Sequence, residues 1–210
     1  MELNVVNIKG EDTGKKINLS DSIFGIQPND HAIYLDVKQH LARRRQGTHK
    51  AKERGEIKGS TRKLKKQKGT GTARAGSIKS PVFKGGGRIF GPRPRDYDFK
   101  LNKKLKKLAR ISALSYKAGS SAITILEGFQ MDSPRTKAYI ELLKNLEAEQ
   151  VKTLLILPEL DNNIYLSSRN LSKAQVLPFD QLSTYDILHV DKLLIIEEAV
   201  PKMEEMLLNQ

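Results

Sequence analysis

The chain has 210 residues, a formal net charge of +13 at pH 7 and no cysteine. That length accommodates one full-sized core, or one core with a sizeable appendage. The missing cysteines exclude disulfides, thiolate catalysis and cysteine-ligated metal together. The charge is segregated rather than spread. From Arg43 to Arg110 there are 24 Lys/Arg against four acids, a net of +20, while the remainder, with 13 basic and 20 acidic residues, carries −7. A slightly acidic body with one intensely basic stretch implies a polyanionic partner.

Taken in chain order, the N-terminus Met1-Glu2-Leu3-Asn4-Val5 lacks the basic-then-apolar pattern of a signal peptide. No apolar run approaches the roughly 20 residues a membrane helix needs, so the chain reads as soluble and intracellular, with no membrane partner. Residues 1–42 read as folded. Leu3 with Val5, and Ile17 with Leu19, alternate as strands do, and Asn29-Asp30 is a helix cap preceding Ile33, Val37 and Leu41, spaced as one apolar helical stripe.

Between residues 46 and 100 the periodicity vanishes. Ten of the 15 glycines lie from Gly47 to Gly91, together with Pro81, Pro92 and Pro94, and large apolar residues are sparse. Such a segment buries too little apolar surface to offset its ordering entropy, and its charges repel one another. Alone it should be disordered, and a partner must order it.

Regular patterns return at Asn102, a candidate cap for a helix that carries Leu105, Leu108, Ser112 and Ser115 on or near one face and ends at Gly119 as its C′ residue. Ala122–Leu126 is a buried-strand run. Ser133-Pro134 reads as a cap with proline at the first helical position, leading into Ala138, Leu142, Leu143 and Leu146. Strands follow at Thr153–Leu157, Ala174–Leu177 and Lys192–Ile196, separated by short helices at Tyr165–Leu171 and Thr184–Leu188 and closed by a helix at Val200–Leu208. Apolar strands alternating with helices imply an α/β fold, a mostly parallel sheet flanked by helices in Rossmann-like layering. The two flanking pieces, 1–45 and 101–210, form one globular domain, because the first alone is too small to hold a core. Residues 46–100 are an extended basic loop inserted into it.

An α/β sheet raises the question of a nucleotide site. Gly10-Glu11-Asp12-Thr13-Gly14-Lys15-Lys16 resembles a P-loop, but is one residue short and has Lys16 where a magnesium-binding hydroxyl belongs. Gly69-Thr70-Gly71 lies in the aperiodic segment, not between strand and helix. His31, His40, His49 and His189 have no ligand spacing, and no Ser/His/Asp set or carboxylate pair falls at a strand end. No catalytic residue, cofactor or metal is expected. The alternative from another class is a nucleotide-dependent RNA-processing enzyme whose basic insert only holds its substrate.

The insert itself points to RNA. It is anchored at both ends, its cations alternate with glycines that let the backbone approach phosphates, and Thr48, Ser60, Thr61, Thr70, Thr72, Ser77 and Ser80 offer hydroxyls for phosphate and 2′-OH contacts. Aromatic residues are few: Phe83, Phe90, Tyr97 and Phe99. Recognition should therefore run mainly through backbone and shape. The contact candidates are Arg43, Arg44, Arg45, Lys50, Lys52, Arg54, Lys63, Lys65, Lys66, Lys68, Arg74, Lys79, Lys84, Arg88, Arg93 and Arg95.

Several of these blocks resemble a known family. Gln46-Gly47-Thr48-His49, Gln67-Lys68-Gly69-Thr70-Gly71, Ala73–Pro81, Gly85-Gly86-Gly87 and Phe90–Tyr97 resemble the extended loop of the universal large-subunit ribosomal protein four, bacterial type. Asn102-Lys103-Lys104 and Ala113-Leu114-Ser115 resemble its following helix, and Tyr185–Leu188 with Asp191-Lys192-Leu193 its C-terminal part. The resemblance implies a cytoplasmic, non-enzymatic constituent of the large subunit that binds ribosomal RNA early in assembly, beside neighbouring ribosomal proteins. It implies a domain on the subunit surface and a loop tip at Gln67, Lys68, Gly69, Thr70, Gly71, Thr72 and Arg74 lining the peptide exit tunnel, near the nascent peptide. Some relatives also bind their own messenger leader. This chain departs from the pattern at Leu64-Lys65-Lys66, where Pro-Trp-Arg is usual, at Thr72 for Arg and at Phe83 for Trp. Lys65 and Phe83 would then supply a phosphate contact and a smaller stack.

Overall fold

A computed structural model describes residues 1–209. It divides the chain into two units, one of Met1–Leu41 with the chain from Phe99 onward, the other Ala42–Asp98.

The first unit is built on six strands: β1 (Glu2–Val6), β2 (Asp12–Asn18), β3 (Ile123–Leu126), β4 (Thr153–Leu157), β5 (Ala174–Pro178) and β6 (Lys192–Ile196). They lie in the order β2-β1-β3-β6-β4-β5. Only β1 and β2 pair antiparallel; every other neighbour is parallel. The helices are α1 (Asp21–Phe24), α2 (Asp30–Arg43), α3 (Lys103–Gly119), α4 (Thr136–Asn145), α5 (Asn162–Ser168), α6 (Thr184–His189) and α7 (Ala199–Asn209), with a 3₁₀ turn at Phe179–Gln181. The mostly parallel α/β architecture expected from the alternating pattern is the one observed. None of these helices is long and apolar enough to cross a membrane.

Continuous apolar strands arise because both faces of the sheet are covered. Leu154, Ile156, Leu193 and Ile195 face one core with Leu114, Ala118, Val200 and Met203; Leu155, Leu157, Leu194 and Ile196 face a second with Tyr139, Leu142, Leu143 and Ile164. The period of two assigns successive residues to opposite cores. At the sheet margin, β2 exposes Lys15 and Lys16, a charged edge that discourages further pairing.

Several local expectations shift. In α2, Ile33 and Val37 are only half buried and Leu41 is exposed, while Ala32 and Gln39 are buried instead. Gln39 donates from Nε2 to the Phe99 carbonyl, so a small residue and an amide make the close contact. Asn29 does cap this helix, accepting from Ala32 N at 3.0 Å. Asn102 takes the N-cap position of α3 without a side-chain bond, its backbone carbonyl accepting from Leu105 and Lys106. Of that helix's expected face, Ser112 and Ser115 are buried, Leu105 half buried and Leu108 exposed. Ser112 and Ser115 are tethers: one accepts from Asn29 N at 3.1 Å, the other donates to the Ile26 carbonyl.

The helix runs through Gly119, and the left-handed residue is Ser121, φ 53°. Ala122 N reaches Lys117 O and Ser121 N reaches Ala118 O, a Schellman closure two residues later than expected. Ser133-Pro134 does not start α4, which begins at Thr136: Arg135 is still extended, φ −135° and ψ 115°, and holds the N-cap position while its amide donates to Ser167 Oγ at 2.9 Å. Helix α5 begins three residues before the expected Tyr165, because Asp161 caps it by accepting from Asn163 N at 2.8 Å, and it ends at Ser168.

Candidate nucleic-acid interface

All sixteen contact candidates fall in the Ala42–Asp98 unit, which contains no helix beyond the end of α2 and no strand. It holds 18 Lys/Arg against four acids, and from Ile57 to Arg95 there are twelve cations and no acid at all. The acids sit only at its two ends, as Glu53, Glu56, Asp96 and Asp98.

Backbone hydrogen bonds replace the missing secondary structure. Arg95 N donates to Gly47 O (3.2 Å), Ala51 N to Pro92 O (3.0 Å) and Arg88 N to Lys52 O (3.0 Å), joining residues 47–52 to 88–95 as a stem. Gly47 is obligatory there. Its φ is +67°, and an added Cβ would stand 2.0 Å from the Arg95 carbonyl oxygen. Farther along, Gly87 N meets Lys79 O, Leu64 N meets Gly76 O, and successive turns close over Ser77–Gly86. Ser77 is buried and donates to Ser60 O at 3.1 Å.

The stem uses some of the candidates internally. Arg43 pairs with Asp98 at 3.0 Å, Arg93 with Glu53 at 2.6 Å and Lys50 with Glu56. The Lys50 hydrogen bond, with help from Glu53 N, holds the Glu56 carboxyl below its ordinary range. The guanidiniums of Arg45 and Arg95 lie 3.7 and 4.7 Å from the centre of the Tyr97 ring. These are exposed contacts that shape the stem more than they stabilise it. Lys52, Arg54, Lys66, Lys68, Arg74, Lys79, Lys84 and Arg88, by contrast, have no ion pair among the described residues.

Beyond the stem lies a cleft of about 820 Å³. Lys63, Lys65, Lys66, Lys79 and Lys84 line it, along with Lys58 and Arg62, which the sequence pattern alone does not single out, and Ile57, Leu64 and Ile78 give it an apolar floor. Lys58 and Arg62 belong to the same acid-free run, which was the available signal. Every residue from Gln67 to Arg74 is exposed, with Gly69 and Gly71 at φ 80° and 59°. Lys65 Nζ and Thr72 Oγ1, 2.7 Å apart, bridge the two sides of this tip. A cationic, concave, acid-free surface can neutralise phosphates and admit a backbone.

The α/β unit also carries a cationic cleft, of about 350 Å³, where Lys103, Lys106, Lys107 and Arg110 of α3 meet Met206 and Leu207 of α7, but it has no nucleotide-binding loop. Gly10 turns between β1 and β2, and Gly14 lies within β2 beside the register shift of that pair, so neither precedes a helix. The crevice of about 330 Å³ at the carboxyl ends of β3, β4 and β6 presents Glu159, Asp161 and Glu198, which would repel a nucleotide's phosphates. The histidines lie against tyrosines: His31 on Tyr34, His49 on Tyr97, and His40 and His189 on Tyr185.

Known proteins resemble this chain along nearly its whole length. A family model described as the ribosomal protein L4/L1 family matches residues 17–206. The chain is 64% identical over 205 residues to the large ribosomal subunit protein uL4 of Amoebophilus asiaticus, covering 98% of each chain. It is 61% identical over 207 residues to the protein of that name from Christiangramia forsetii, covering 99% of this chain and 100% of the relative. A Cytophaga hutchinsonii relative is 60% identical over 207 residues, with the same coverage.

Proposed function

Because the chain belongs to the ribosomal protein L4/L1 family, and is thus a structural, non-enzymatic constituent of the large ribosomal subunit, we propose that it acts there by binding ribosomal RNA directly through its basic loop. The single observation that carries this reading is the run Ile57–Arg95, twelve cations without one acid, held on a hydrogen-bonded stem. RNA helices brought together in a subunit repel through their phosphates. Cations inserted between them release condensed counterions, and the entropy of that release drives compaction. Glycine-rich backbone and hydroxyl side chains allow close approach and 2′-OH contacts, which favour recognition of RNA shape over base sequence.

The α/β unit then serves as a folded anchor for the loop, docked among neighbouring ribosomal proteins, and the loop beyond its hydrogen-bonded stem orders as the RNA folds around it during early assembly. The tip Gln67–Arg74, exposed and glycine-hinged, lines the peptide exit tunnel and meets the nascent peptide. A messenger leader that reproduces the same RNA shape would compete for the same cations. In the bacteria from which the relatives come, the setting is the cytoplasmic large subunit.

Co-sedimentation tests the proposal. The full chain should remain with reconstituted large subunits through a high-salt wash, whereas a variant lacking Gly55–Arg88 should be stripped from them. Joining Arg54 to Ile89 needs little rearrangement, since Gly87 already packs against the Arg54 backbone. Retention of the deletion variant at high salt would remove the loop from the mechanism.

A further inference from the structure

The stem of the loop unit contains a bulge. Lys52 O accepts from Arg88 N, and the next pairing joins Ala51 N to Pro92 O, both at 3.0 Å. Ile89, Phe90 and Gly91 therefore lie between the two bonds on one segment, with no residue between them on the other. Such a bulge re-aims side chains and terminates pairing.

Phe90 is what it aims. Its φ is +53°, in the left-handed region that side-chain-bearing residues disfavour, and its relative exposure is 104%. Immediately after it the chain closes tightly: a Cβ on Gly91 would stand 2.5 Å from that of Ala51. An aromatic ring left in water forgoes its burial, and the backbone beneath it is strained as well. Residues held this way cluster where a ligand is engaged. The other aromatics of the unit are occupied differently, Phe83 being half buried and Tyr97 flanked by two guanidiniums. Around the bulge, Lys52, Arg54 and Arg88 have no ion pair among the described residues. A free ring among free cations fits a ligand that is apolar on its face and anionic along its edge.

We propose that Phe90 is a stacking anchor that receives an unpaired nucleobase of the bound RNA while the neighbouring cations hold the adjoining phosphates. This rests on the RNA-binding reading and adds a discrete base contact to an interface otherwise reading backbone and shape. Stacking of a base on an aromatic side chain survives on single-stranded segments and tolerates any base, because every base has a π face.

The chain contains no tryptophan, so Phe90→Trp places a single indole at the bulge. The probe is a transcript of large-subunit ribosomal RNA, titrated with the full-length protein. Phe90→Ala should weaken binding roughly 5- to 150-fold without changing the salt dependence. Phe90→Trp should keep its affinity and show quenched indole emission at saturation. Val82→Ala, at another highly exposed apolar position of the unit, should change nothing. An unaltered affinity for Phe90→Ala, an unquenched indole, or an equal loss for Val82→Ala would overturn the anchor while leaving RNA binding intact. Failure of the unsubstituted chain to bind the transcript would overturn both.

Discussion

Tyr139 is fully buried, yet its hydroxyl has no hydrogen-bond partner among the described residues, and burial pushes the phenol well above its ordinary range, so it stays neutral. A desolvated polar group without a partner costs stability that its removal returns. Phe at this position keeps the ring's packing against Leu142 and Leu143. Tyr139→Phe should therefore raise the urea midpoint by an amount worth roughly 0.5–2 kcal/mol, with an unchanged slope. A loss of stability would mean that the hydroxyl has a partner in solution. At Gly47 the direction reverses. Gly47→Ala adds an atom 2.0 Å from the Arg95 carbonyl at a positive φ, so the stem must open. Amide exchange at Ala51, Arg88 and Arg95 should accelerate in the variant, while the α/β core keeps its protection. Unchanged exchange at those three amides would contradict the stem.

At the scale of elements, the strands were the most legible part, because apolar β-branched runs such as Thr153–Leu157 announce a sheet buried on both faces. Helix ends were less so, since tertiary partners decide them. Ser133-Pro134 has the pattern of a helix start, but Arg135 is extended at the N-cap, its amide bonded to Ser167 on another helix, and α4 begins at Thr136. Gly119 is the residue type that favours a helix end, yet Ser121 takes the left-handed position, and Glu147 does the same after α4. In both cases the Schellman hydrogen bonds form without glycine. Ser121→Gly and Glu147→Gly should each stabilise the fold by about 0.5–1 kcal/mol, relief of backbone strain outweighing the added chain entropy. Thermal midpoints that fall in both variants would refute this. The loop's charge was evident in the sequence, whereas its stem was not: pairs such as Ala51 with Pro92 follow no hydrophobic period, and neither the cleft around Lys58 and Arg62 nor the bulge at Phe90 leaves a pattern to read.

For the whole molecule, the division of charge is the organising fact. One unit carries 18 cations against four acids, and the rest of the chain is close to neutral. Most of the loop's cations lie away from the tip, so reversing a single tip charge leaves the bulk of the RNA attraction in place. Lys68→Glu should permit nearly normal subunit assembly while altering the response of the variant ribosomes to tunnel-binding antibiotics or stalling peptides. Gross assembly failure would instead make Lys68 a principal RNA contact and move the tunnel-facing segment elsewhere.

The central claim is that phosphate neutralisation by the loop accounts for RNA binding, and the salt dependence of affinity measures it directly. Binding of the full chain and of the Gly55–Arg88 deletion to the same ribosomal RNA transcript should be followed across a salt series. The deletion removes ten Lys/Arg, and the log–log slope should become shallower by about 0.7–0.9 for each phosphate left without its cation. A slope that falls by several units, with weaker binding throughout, is the predicted result. An equal slope in the two proteins would place the RNA-binding surface on the α/β unit and contradict the account.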